Sequence, residues 1–405
     1  AISGTAVALL PNGSTSSALT LTLGGVNQST GSWGGTTSSA TNKNATWFGN
    51  TTTGIININT GCTSGTWLGI FSTDWNDAGN WCGGIPTSTT DVVITSAPAN
   101  QPVIGIAGGT CRNITIGSGA SLTITGSNNL TVSGDWTNNG GTFTPNNGTV
   151  NFNSTSAAQT IGGSVATQTF YNLAINKSGQ SLAIGGSTAL VNVSNVLTLT
   201  AGTLNTGANV VSVTNNAASA VAATSGYVIG NLRRSISTTP ATYTFAVGTA
   251  SGTSSASFAF TALSSGGTLT VTSNDGAGTN YPSNLHATKK LARNWTVINS
   301  GLTGVSGSVT FNYLAGDLAG GASATALKAY VYSGTASYAT STGTTGSSFT
   351  FNGLASFGEF GAGECLGTLA ATFTKTMASS CGGGADGSIT ASASGGASPY
   401  SYSWT

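Results

Sequence analysis

Between residues 110 and 215 one local pattern recurs: two apolar residues separated by a single residue, followed by a turn rich in Gly and Asn. Ile114/Ile116, Leu122/Ile124, Leu130/Val132, Val150/Phe152, Leu173/Ile175, Leu182/Ile184, Val191/Val193, Leu197/Leu199 and Val211/Val213 all follow it. Spacing at period two puts both members on one face of a strand. A strand with only two inward side chains cannot bury its apolar face alone, so the economical packing piles successive coils on one another. The pattern predicts a solenoid, with a parallel β-helix as the natural candidate. Uneven spacing between pairs leaves an antiparallel sandwich of short strands as the competing arrangement.

Composition agrees with an all-β chain. The 405 residues include 60 Gly but only ten Lys plus Arg, nine Asp plus Glu and one His. Charged residues make up 5 %, against roughly 25 % in ordinary globular proteins. Apolar content of 38 % in short alternating runs such as SLTITG and NLTVSG supports a packed core and argues against disorder. Gly or Thr interrupts every window in which a helix could propagate. No apolar run approaches the roughly 20 residues of a membrane helix, so no membrane insertion is expected. The start, AISGTAVALLPNG, lacks the basic flank of a signal peptide and reads as a mature N-terminus. A net charge of +1 offers no footprint for nucleic acid or anionic lipid.

Four segments follow from changes in texture. Residues 1–61 read as a small N-terminal β module and 62–230 as the solenoid. Residues 231–364 carry longer strands with aromatic residues at alternate positions and Gly turns, the pattern of a β-sandwich. Residues 365–405 begin another Ig-like module, with Tyr400, Tyr402 and Trp404 expected on one face of a strand.

Three stretches, DWNDAGNWCGG with SLTITGSNNLTVSGDW, GYVIGNLRRSI with TYTFAVGT, and ADGSITASASGGASPYSYSWT, resemble parts of giant secreted gliding adhesins of Bacteroidota, the SprB type. STDWNDAGNWCGGIPTSTTDVVI at 72–94, followed by CRNITIGSGASLTITGSNNLTVSGDWTNNG at 111–140, is similar to the start of their β-helical regions. GYVIGNLRRSI with TYTFAVGT resembles the sandwich that often follows. SSCGGGADGSITASASGGASPYSYSWT at 379–405 resembles the first part of an SprB repeat. The resemblance implies a long polypeptide exported by type IX secretion. This piece would lie at its distal tip, and an unseen C-terminal part would engage the secretion and gliding machinery.

Residues that carry catalysis are scarce. His286 stands beside lysines, and the cluster Lys289, Lys290 and Arg293 reads as a solvated strand edge or turn. Glycoside hydrolysis needs two positioned carboxyl groups, whereas the solenoid region offers only Asp74, Asp77, Asp91 and Asp135. No enzymatic activity and no cofactor are expected. DWND at 74–77 could contribute to a Ca²⁺ site, but two carboxylates are few for an ion that takes six to eight oxygens. Asp386 reads as a turn residue.

Five cysteines, Cys62, Cys82, Cys111, Cys365 and Cys381, fit no zinc spacing. Disulfides suit the extracellular composition. Sequence does not fix the pairing; Cys82 with Cys111 and Cys365 with Cys381 is one arrangement, leaving Cys62 over.

Trp33, Trp47, Trp67, Trp75, Trp81 and Trp136 are six of the eight tryptophans and all fall in the first 140 residues. Exposed aromatic faces bind sugars, so these six are the candidate glycan or surface contacts; packing at the end of the solenoid is the competing explanation. Thr-X-Thr strands raise ice binding, but Thr alternates too irregularly with Asn and Ser for a flat face, and no thermal hysteresis is expected. The expected role is a non-enzymatic adhesin segment that contacts surfaces or polysaccharide. A ligand-free filament or surface-layer subunit is the alternative, and a carbohydrate-active enzyme on a β-helix a third.

Overall fold

A computed structural model describes the chain except residues 19–20, 29–30, 59–61, 340–341, 368, 378–386, 397–399 and 405. It is all-β, with a solenoid of about 7 turns and several sheets. Two compact units are present, residues 1–205 with 224–226, and residues 206–223 with 227–405.

In the first unit, Thr15–Ala18 runs parallel to Ile55–Ile58, which pairs antiparallel with Gly31–Gly34. Leu21, Leu23, Phe48 and Ile58 form the small core beneath them. The solenoid follows as three stacks of parallel strands. One stack carries Val92, Ile114, Trp136 and Ile161 in register, at steps of 22, 22 and 25 residues. A second carries Cys111, Val132, Phe152, Ile175 and Leu199. The third pairs Val103–Ile104 with Ser121–Ile124 and Ser121–Ile124 with Thr142–Thr144; Thr167–Phe170 with Leu190–Val193 is a further pairing of the same parallel kind.

The predicted inward pairs of this unit are buried, from Ile114/Ile116 to Leu197/Leu199. Trp136 adds edge contacts to Phe143 and Phe170 at centroid distances of 4.8 and 5.3 Å. Close stacking of rungs explains part of the glycine demand. Gly163 has φ 118°, and a Cβ there would lie 2.1 Å from the carbonyl oxygen of Asn138, a position no larger residue can take.

The second unit contains a β-sandwich. Its first sheet orders Tyr227–Ile236, Gly267–Asp275, Arg293–Ser300, Glu359–Cys365 and Leu327–Tyr332 as antiparallel neighbours. The facing sheet orders Thr242–Phe245, Ala256–Ala262, Ser306–Asn312, Ser348–Asn352 and Thr342–Thr345. Aromatic side chains fill the space between: Phe311 lies 4.6 Å from Trp295 and 5.1 Å from Phe360, centroid to centroid. Val211 and Val213 are also buried in this unit.

At the C-terminal end, Ala370–Thr376 and Ser388–Ser394 form an antiparallel hairpin. Tyr400, Tyr402 and Trp404, expected on a strand, lie outside any strand. Two strands offer too little surface to hold a third aromatic one; the Trp404 ring meets Phe373 at 6.4 Å. Asp386 lies outside the described residues.

Candidate functional site

The six candidate tryptophans do not form one surface. Trp67, Trp75, Trp81 and Trp136 are at most 1 % exposed. Trp81 sits between Trp67 and Trp75 in edge contacts at 4.8 and 4.7 Å. Its Nε1 donates to Trp75 O at 2.6 Å, and Trp67 Nε1 donates to Asn100 O at 2.7 Å. These three rings pack into the first coil of the solenoid, and Trp136 lies in its core. Their burial removes them as ligand-facing groups: faces spent on neighbouring rings cannot stack on a sugar. Trp33 and Trp47 are half-buried against the N-terminal core and keep part of each ring accessible.

The cysteine arrangement also differs from the one considered above. Cys82 is bonded to Cys62, with Cα atoms 5.9 Å apart, inside the range a bridge requires. Cys111 is fully buried as an inward residue of the second stack, where burial pushes its thiol pKa up. Cys365 is exposed, and Cys381 lies outside the described residues.

The carboxylates of the DWND segment serve the local backbone. Asp74 Oδ1 accepts from Asn76 N and Asp77 Oδ1 from Gly79 N, each at 2.9 Å. Asp74 borders a cleft of about 440 Å³ with Asn76, Val103 and Ile106, and no second carboxylate lines it. Among the described residues no three His, Cys, Asp or Glu side chains gather as a metal centre would need. Asp91 receives a bidentate Arg112 at 2.6 and 2.5 Å, and that contact holds its carboxyl below the usual range. Asp135 Oδ1 accepts from Thr160 N at 2.7 Å.

Residues 66–359 match the family described as a domain of unknown function, DUF8693. The chain belongs to this family. Residues 376–405 match the SprB repeat, which points to a secreted, cell-surface, adhesin-like protein. No curated protein and no solved structure matches the chain. No helix among the described residues is long and apolar enough to cross a membrane.

Within the DUF8693 match, the polar residues that sequence reasoning missed are buried cations. Arg293, expected on a solvated edge, is buried: Nε and Nη2 donate to Asp317 at 2.6 and 3.0 Å, and Nη2 reaches Asp275 at 3.1 Å. The alternation of its strand turns it inward beside Trp295, and Asp317 supplies the compensating charge from a distant turn. Its two former cluster-mates stay near the surface, with Lys289 3.6 Å from Glu364 and Lys290 4.7 Å from the Tyr281 ring centre. His286 Nδ1 accepts from Lys289 N at 3.1 Å and shapes that turn.

Arg234 donates to the carbonyls of Thr244, Ala217 and Ala218, and burial brings its pKa down to about 10. Lys177, in the solenoid, donates to Ser154 O, Ala157 O and Gln159 Oε1 at 2.9, 3.0 and 2.6 Å. Three acceptors complete an ammonium shell in place of water. The one available signal was scarcity, since a charge inside a run of Thr, Ser and Gly needs a structural reason.

Proposed function

We propose that the chain is a non-catalytic part of a secreted adhesin that contacts surfaces or glycans and supports attachment or gliding. The SprB repeat at 376–405 behind the DUF8693 match carries this reading. A solenoid whose rungs are tied by backbone hydrogen bonds and aliphatic packing supports a stiff scaffold role. The dispersed carboxylates of the solenoid region, Asp74, Asp77, Asp91 and Asp135, each held by backbone or by Arg112, support a role without acid–base chemistry. Export by type IX secretion and coupling to a gliding apparatus belong to the proposal.

The test is retention of beads coated with the purified chain on glass and on polysaccharide films under flow. Coated beads should stay where albumin-coated beads wash away, and antibodies to the chain should label intact source cells. Beads that wash off equally while the chain assembles into filaments would replace the adhesin with a structural subunit.

A further inference from the structure

We infer that the outer face of the solenoid's second stack is a binding groove for a neutral, linear polysaccharide. A groove of about 260 Å³ crosses four successive rungs there. Asn129, Thr131, Thr149, Asn151, Asn176 and Thr200 line it, and Ala174 forms part of its floor. With rungs about 4.8 Å apart, the row is about 14 Å long. All these residues belong to the first unit, and the inward neighbours Leu130, Val150 and Leu173 are buried. The lining therefore sits on a rigid backbone.

Two features set this row apart from an ordinary solvated sheet face. Asparagines on adjacent rungs can satisfy one another, as Asn195 does by donating to Asn172 at 2.9 Å. In the neighbouring row, Thr131, Asn151, Ala174 and Thr198 stand in register, and the methyl of Ala174 breaks the ladder. The amides of Asn129, Asn151 and Asn176 make no hydrogen bond within the described residues and face the groove. Next to them the strand bulges. Ile175 pairs with Leu199 but Asn176 with Ala201, so Thr200 is the extra residue. Bulges re-aim side chains and recur beside binding sites.

The chemistry of the lining selects the ligand. Amides and hydroxyls both donate and accept, which suits a chain of hydroxyl groups. No charged side chain lines the groove, so neither an anionic nor a cationic polymer gains from it. Ala174 alone is apolar, too little for a lipid or a hydrophobic peptide. A row running across the rungs fits an extended polymer lying along the stack.

The inference takes only its extracellular setting from the adhesin reading, and the two fail separately. Calorimetric titration of the full chain would use neutral hexasaccharides of glucose, mannose and xylose, with oligogalacturonate as the charged comparator. At least one neutral chain should bind at millimolar concentration or better. Asn151→Ala should weaken that binding by about tenfold, and Ala174→Trp should abolish it by filling the floor. Both positions point outward, so melting temperature and circular dichroism should stay at wild-type values. Binding of no neutral chain, preference for oligogalacturonate, survival of binding in Ala174→Trp, or thermal hysteresis in place of saccharide binding would each overturn the groove. Beads still retained on surfaces after such a result would leave the adhesin reading standing.

Discussion

Lys177 donates to three acceptors, yet burial brings its pKa down to about 8, with Asp135 partly opposing the shift. A lowered lysine pKa means that the folded chain holds the proton less tightly than the unfolded one. Between about pH 8 and the ordinary 10.5 the unfolded chain carries a proton that the folded chain lacks. Stability from this group therefore rises as pH climbs through that window, and below it the full cost of the buried charge is present. Tyr281, pushed up to about 12 by burial, acts oppositely above pH 10, so the lysine must be isolated by difference. Urea unfolding of wild type and Lys177→Met from pH 7 to 10 should show a destabilised variant that lacks the rise. Parallel pH profiles would show that Lys177 does not titrate as argued.

Single elements show which parts of the fold were legible. The inward pairs could be read because period-two alternation is local: Leu130 and Val132 share one face of their strand whatever lies above them, and the stacked rungs on either side bury both. The number of residues per coil could not, because turns absorb variable lengths. Thr149 lies 20 residues beyond its partner Asn129, while Leu197 lies 24 beyond Leu173. Tryptophan enrichment was visible, but which face each ring presents depends on partners such as Asn100, 33 residues from Trp67. Arg293 was misplaced for the same reason, its carboxylate lying 24 residues away in a turn. The Cys62–Cys82 bond closes a loop with a sequence separation of 20, and cross-linking such a loop removes about 3 kcal/mol of chain entropy from the unfolded state. Its effect should be local, because each solenoid coil is held mainly by its neighbours. On reduction, hydrogen exchange should speed up at residues 62–104 and stay unchanged at 130–200. Uniform acceleration along the stack would mean that the bridge holds the solenoid as a whole.

Taken as a whole, the molecule rests on apolar burial and backbone hydrogen bonds, and its response to salt should reveal that. The net charge is +1, so self-repulsion gives added ions little to screen. The ion pairs with a solvent-exposed partner among the described residues are Arg112 with Asp91, Lys289 with Glu364 and Arg293 with Asp275, and exposed pairs contribute about 0–1 kcal/mol. Arg293 and Asp317 are buried together, where screening is weak. Raising NaCl from about 0.05 to 1 M shortens the Debye length from more than 10 Å to about 3 Å. The melting temperature should nevertheless move by less than about 3 °C, the scale set by 1 kcal/mol in a domain of this size. Sodium sulfate should raise it, because excluded salts favour burial of apolar surface. A melting temperature that falls steeply in NaCl would show that fixed charges, rather than stacked coils and the aromatic interior of the sandwich, hold the chain together.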